Sequence, residues 1–211
     1  MKGNSDGHDI ATYATVCKAA VTVMLVVWWL FVPTVGYFPV GETDGHTIGT
    51  IWEHLLWPMS HANVWHLMGN LWVLWWMKGG RLYMREAYVM AVLCSLLPVV
   101  PGLWEMIGDG KNAAEMHGAV ATCGFSGVLC AMIGVKWGAW IKGCHGMTAY
   151  WTFAKKVLPF VAVGALIPHV NWSIHLYCLM VGVMYGNLSG KTAEHTVLSE
   201  DGDGERGRGA L

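Results

Sequence analysis

Long apolar runs, broken by short polar or glycine-rich stretches, set the pattern of this chain. The first run extends from about Thr15 to Val35, enough helix to cross roughly 30 Å of hydrocarbon. Pro33 and the Gly41–Gly45 cluster end it. Between Ile48 and Met59 the apolar residues Ile51, Trp52, Leu55, Leu56 and Trp57 recur with helical spacing, which predicts an amphipathic segment lying at a membrane interface. Further runs predict helices at about Asn63–Met77, Glu86–Ile107, Ser126–Trp140, Thr152–Ile167 and Trp172–Gly186. The expected organisation is a polar N-terminus over residues 1–14, a membrane domain over 15–188, and a glycine-rich, charged and disordered tail over 189–211. The predicted fold class is all-α: a polytopic membrane protein with six transmembrane helices.

Composition supports that class. Apolar residues form 55% of the chain and charged residues only 13%, against about 25% charged in a soluble domain. The net charge of −1, with no basic patch, gives no footing for nucleic acid. The cysteines Cys17, Cys94, Cys123, Cys130, Cys144 and Cys178 show no CxxC or other metal-ligand spacing, and no cofactor is expected. No small-x-small cleavage site follows the first apolar run, so that run is expected to be retained as a span. Of the 13 lysines and arginines, all but Lys111 fall on one side of a six-crossing topology. The positive-inside rule then predicts that both termini are cytoplasmic.

A few polar groups interrupt the apolar pattern. In the second predicted span, His66 and Asn70 are one turn apart on one helical face, while His61 precedes the helix. Ser126, between Gly124 and Gly127, opens the fourth span, and His175 lies near the start of the sixth. Each has an ordinary explanation as a packing residue or as an interhelical hydrogen bond. Topology weighs against that reading. The second, fourth and sixth spans run in the same direction, so His66, Asn70, Ser126 and His175 share one depth near the outer face. A nucleophile, a base and hydrogen-bond donors at one level suit acyl transfer. Low hydrophobicity at the start of the second span and the polar loop Gly108–His117 suggest a water-filled cavity, with His61 and Asn63 at its mouth.

His61-x4-His66-x3-Asn70, Gly124-x-Ser126-Gly127 and His175 together resemble the rhomboid intramembrane serine proteases. The resemblance covers all six spans. It implies a rhomboid-like bundle in which Ser126 is the nucleophile and His175 the base. The backbone N–H of Ser126 and the side chains of His66 and Asn70 would receive the oxyanion, with His61, Gly124, Gly127, Cys130, Cys178 and Gly182 in support. The implied partners are transmembrane protein substrates and the lipid bilayer, most simply the plasma (inner) membrane. With no Asp or Glu in the second, fourth or sixth span, a dyad is expected rather than a triad.

Three departures stand out. Trp52 is followed by Glu53 where many members have Trp-Arg. Cys130 stands where an aromatic often stacks on the histidine, and the last span reads His175, Cys178, Gly182 in place of His-x2-Gly-x3-Gly. If Ser126 and His175 meet, Cys130 and Cys178 should lie close together one turn further in, as small packing residues. Two other readings stay open: a haem-binding membrane protein using His66 and His175 as axial ligands, and an inactive relative that binds transmembrane helices without cutting them.

Overall fold

The computed structural model describes residues 5–36, 51–77, 83–97, 122–144, 147–166 and 170–189. These form α1 (Ser5–Phe31), α2 (Ile51–Leu56) with a 3-10 turn at Trp57–Met59, α3 (Val64–Trp76), α4 (Met84–Cys94), α5 (Ser126–Gly143), α6 (Met147–Leu166) and α7 (Trp172–Leu188). The chain is all-α over these residues. Every predicted span has a helix, and the interfacial segment appears as α2 and its 3-10 turn.

Some boundaries differ from expectation. α1 begins at Ser5, inside the polar stretch, where Gly7 weakens the helix but no proline stops it. α6 starts at Met147 rather than Thr152, and Lys155 and Lys156 within it are exposed. Long aliphatic stems let such lysines carry their charge toward an interface. α4 covers only the first part of the third predicted run. The rest of that run beyond Leu97, the polar loop Gly108–His117 and the tail from residue 190 lie outside the described residues.

Local chemistry fixes the helix starts that matter most. Asn63 caps α3, its side-chain oxygen accepting the His66 N–H at 2.9 Å, as a short polar residue does at an orphan helix end. Asn171 does the same for α7 through Ile174 N–H. Both caps lie one turn or less before a candidate site residue.

The helices exclude one another's backbones very little. An added Cβ at Gly134 would stand 2.2 Å from the Leu179 carbonyl oxygen, and one at Gly138 only 2.1 Å from that of Val183. The converse holds from α7: a Cβ added at Gly182 would stand 2.3 Å from the Ala131 carbonyl oxygen, and one at Gly186 2.2 Å from that of Val135. Matching residues thus advance together along both helices, so α5 and α7 are parallel and in backbone contact. Small residues permit that approach where no hydrophobic force separates lipid from protein.

α1 runs the opposite way to α3. Near the end of α1, Trp28 Nε1 and Val35 N–H both donate to Ser60 Oγ, just ahead of α3. Near its start, Lys18 Nζ donates to the Met77 carbonyl at the end of α3. Trp57, Leu25, Leu74, Val128 and Met132 are fully buried between the elements. The outside is also apolar: Trp65, Trp72 and Trp76 on α3 are 82%, 70% and 65% exposed. Such a surface suits lipid better than water. Among the described residues one helix, α1, is long and apolar enough over Thr12–Phe31 to cross a membrane by length and composition alone.

Candidate active site

Ser126 is the first residue of α5 and His175 the fourth of α7. Because the two helices are parallel and nearly touching, those residues meet: His175 Nε2 and Ser126 Oγ are 2.7 Å apart. That is hydrogen-bond distance between a hydroxyl and an imidazole nitrogen. Ser126 also occupies the helix end whose first N–H groups have no intrahelical acceptor, where an anion is favoured.

The segment leading into Ser126 is held on several sides. Gly124 N–H donates to the Trp57 carbonyl at 2.9 Å, and Phe125 N–H donates to His61 Nε2 at 3.5 Å. Gly124 has φ +126°, a conformation that L side chains rarely adopt. A Cβ there would lie 2.5 Å from His66 Cε1 and 2.7 Å from its Nε2, with Asn70 Nδ2 at 3.6 Å. Two residues before the serine, then, the chain passes directly over both expected oxyanion donors. At Gly127 an added Cβ would meet the Trp57 indole at 2.6 Å and Cys178 Sγ at 3.4 Å. The glycines flanking Ser126 are there because His66 and Trp57 occupy the space.

Asn70 is 6% exposed, and its Nδ2 is buried with no hydrogen-bond partner among the described residues. Leaving a buried donor unsatisfied costs about 1–3 kcal/mol, a cost that an incoming hydrogen-bond acceptor would remove. His66 is packed edge-on to His61, with ring centroids 5.2 Å apart. His61 was expected to line an open mouth; instead it is 1% exposed. Burial, with His66 beside it, lowers its pKa to about 4 despite an opposing backbone contact at Met59. A neutral His61 can present Nε2 as an acceptor to Phe125 N–H. Asn63 is exposed, but its oxygen serves the helix cap.

Cys178 is fully buried, and Cys94 on α4 lies close enough to interact with its thiol. Cys130 also lies near enough to act on Cys178 electrostatically. The expected neighbourhood of Cys130 and Cys178 is therefore shared with a third cysteine. Trp57 and Cys94 gave no signal in the sequence, because nothing local tells a membrane-interface tryptophan from one inserted beneath a site. The same holds for Thr122, whose Oγ1 accepts from Asn171 Nδ2 at 3.0 Å.

A helical, lipid-facing bundle in which a serine and a histidine meet at the ends of parallel helices defines a narrow class of membrane protein. A family model described as Rhomboid domain matches residues 48–192, more than half of the chain. The chain belongs to the rhomboid family and is an integral membrane protein. No curated protein matches it.

Proposed function

We propose that the chain is an intramembrane serine endopeptidase that cleaves transmembrane segments near the outer face of the membrane. The observation that carries this reading is the 2.7 Å approach of His175 Nε2 to Ser126 Oγ. With the imidazole proton on Nδ1, Nε2 is free to accept the Ser126 proton as Oγ attacks a peptide carbonyl. The new oxyanion would be received by the Ser126 backbone N–H, His66 and Asn70. Collapse of the tetrahedral intermediate expels the amine, which takes its proton from His175. A water molecule then attacks the acyl-enzyme with His175 again as base, and the carboxylate product leaves with Ser126 regenerated. No carboxylate occupies α3, α5 or α7, so packing must orient the imidazole as an aspartate does in a triad.

The family acts on transmembrane substrates within the bilayer, and the same substrate class is assigned here. The working unit is the membrane domain over residues 15–188, with six crossings, both termini cytoplasmic and the plasma (inner) membrane as its site. The haem reading is disfavoured by two contacts: His175 Nε2 is engaged with Ser126, and His66 is pressed against Gly124.

The test is cleavage of a model transmembrane substrate, together with labelling by a fluorophosphonate probe, in reconstituted protein. The unsubstituted chain should cleave and label. Ser126→Ala should do neither, and His175→Ala should lose both while staying folded. Full activity in either variant would remove the dyad assignment. A well-folded, unreactive parent chain would favour the helix-binding, non-cleaving alternative.

A further inference from the structure

We propose that Asn171 and Thr122 form a positioning pair that aligns Ser126 with His175, an inference that rests on the serine-protease reading above. Asn171 does two things at once. Its Oδ1 caps α7, accepting Ile174 N–H at 3.3 Å and the Ser173 hydroxyl at 2.7 Å. Its Nδ2 donates to Thr122 Oγ1 at 3.0 Å, reaching from the start of α7 to the segment that leads into α5. Serine or threonine caps a helix equally well, but neither has an amide nitrogen to spend on a second element.

The location gives the bond its meaning. Thr122 precedes Ser126 by four residues (126 − 122), and Asn171 precedes His175 by four (175 − 171). The link therefore joins the two arms of the dyad at equal offsets, just ahead of the reacting atoms. Behind those atoms, α5 and α7 are fixed by the backbone contacts at Gly134, Gly138, Gly182 and Gly186. All of these contacts, and that of Gly127 with Cys178 Sγ, lie past the dyad, leaving a tilt of α7 about them to change the Nε2–Oγ separation. A second tie ahead of the dyad removes that freedom. In a dyad without a carboxylate, the placement of α7 sets the imidazole, and a displacement near 1 Å can cost about a hundredfold in rate.

Substituting Thr122 separates hydroxyl from shape. Thr122→Val keeps the shape and loses the acceptor; Thr122→Ser keeps the hydroxyl and loses a methyl. On this proposal Thr122→Val lowers kcat and the rate of fluorophosphonate labelling about tenfold, with KM changed by less than about twofold, because alignment acts on the chemical step. Thr122→Ser stays within about twofold of the parent on the same measures. From the other side, Asn171→Ser keeps a helix cap but is too short to reach Thr122, and should slow the reaction like Thr122→Val. Asn171→Asp should restore it, since the Thr122 hydroxyl can donate to the carboxylate. Two variants from opposite sides keep the test decisive if one fails to fold.

The inference is overturned if Thr122→Val reacts at the parental rate, if Thr122→Ser is as slow as Thr122→Val, or if the loss falls in KM with kcat intact. If the unsubstituted chain does not label at Ser126, the protease reading fails and the inference falls with it. Labelling in the parent that is indifferent to Thr122 overturns the inference alone.

Discussion

At the scale of single residues, the site is a set of polar groups whose burial leaves each with one use. Asn70 places a buried amide donor beside Gly124 with no partner among the described residues. On the protease reading proposed above, such a contact would strengthen only as charge develops on the substrate oxygen. Asn70→Ala should therefore lower kcat by about two to three orders of magnitude with little change in substrate affinity. A fall in affinity at unchanged turnover would make Asn70 a binding or packing residue. His61 gives a second expectation. Its folded pKa, near 4, lies below the ordinary histidine value of 6.5. Between those values the unfolded chain binds the proton and the folded one does not, so stability rises with pH across the window. The stabilising share of neutral His61 is complete above about pH 6.5 and is lost as pH falls toward 4. Melting temperature measured through that range should drop for the parent and drop less for His61→Gln, which stays neutral throughout. An identical slope in both would assign the acid sensitivity to other groups, with His54, whose pKa is also lowered by burial, the next to examine. That Ser126 meets His175, and that His66 and Asn70 lie beside Gly124, was legible in the sequence, because each of these polar residues interrupts an apolar run within two turns of a helix start. The burial of His61 was not legible, since it packs against a segment 64 residues away.

Between elements, the departures from the family pattern find local answers. Where Glu53 follows Trp52, the segment is tied to α4 instead: His54 Nδ1 lies 2.8 Å from Ser95 Oγ, and the Tyr88 hydroxyl donates to the Leu55 carbonyl at 2.5 Å. Ser95 Oγ itself donates to the Val92 carbonyl, so the histidine nitrogen is the donor to it. This second buried Ser-His contact thus has the opposite proton polarity to the one needed at Ser126, and its role is anchorage. Where an aromatic is expected four residues after Ser126, Cys130 stands, while the Trp57 indole lies against Gly127. These answers were invisible in the sequence because they need α2, α4 and α5 docked together, and residue spacing within one helix carries no such information. Cys178 sits, fully buried, where these elements meet, bounded by Cys94 and by Gly127. Cys178→Leu should overpack it, costing about 1–3 kcal/mol and reducing turnover as α7 is pushed from α5. Cys130→Ala, which only removes a sulfur, should be mild. Thermal melting and turnover measured together check both, and an unperturbed Cys178→Leu variant would mean that the helices do not close around that position.

At the scale of the whole molecule, direction along the bundle is what turns separated motifs into a site. The apolar runs predicted alternating helices, and the shared outer level of the second, fourth and sixth followed from that alternation. The geometry agrees at several points. The Lys18 end of α1 meets the terminal carbonyl of α3, the other end of α1 meets Ser60, and α5 runs parallel to α7. Which side faces the cytoplasm rests on the basic residues alone, with Lys111 as the lone exception among 13. Lys18 complicates that count, since it is buried on the Met77 carbonyl and is no longer a solvent-exposed flank. It nevertheless sits at the same depth as the end of α3, beyond which come Lys78, Arg81 and Arg85, so its charge belongs to the same side. Moving that cluster outward would place most of the chain's cations on the wrong face, at about 1 kcal/mol each in lost attraction to an anionic leaflet. A reporter fused after Leu211 should therefore behave as cytoplasmic: a fused fluorescent protein bright, a fused alkaline phosphatase inactive. Active phosphatase at that terminus would invert the bundle and move the Ser126 end to the inner face, and substrates would then have to be sought with their cleavage sites near the cytoplasm.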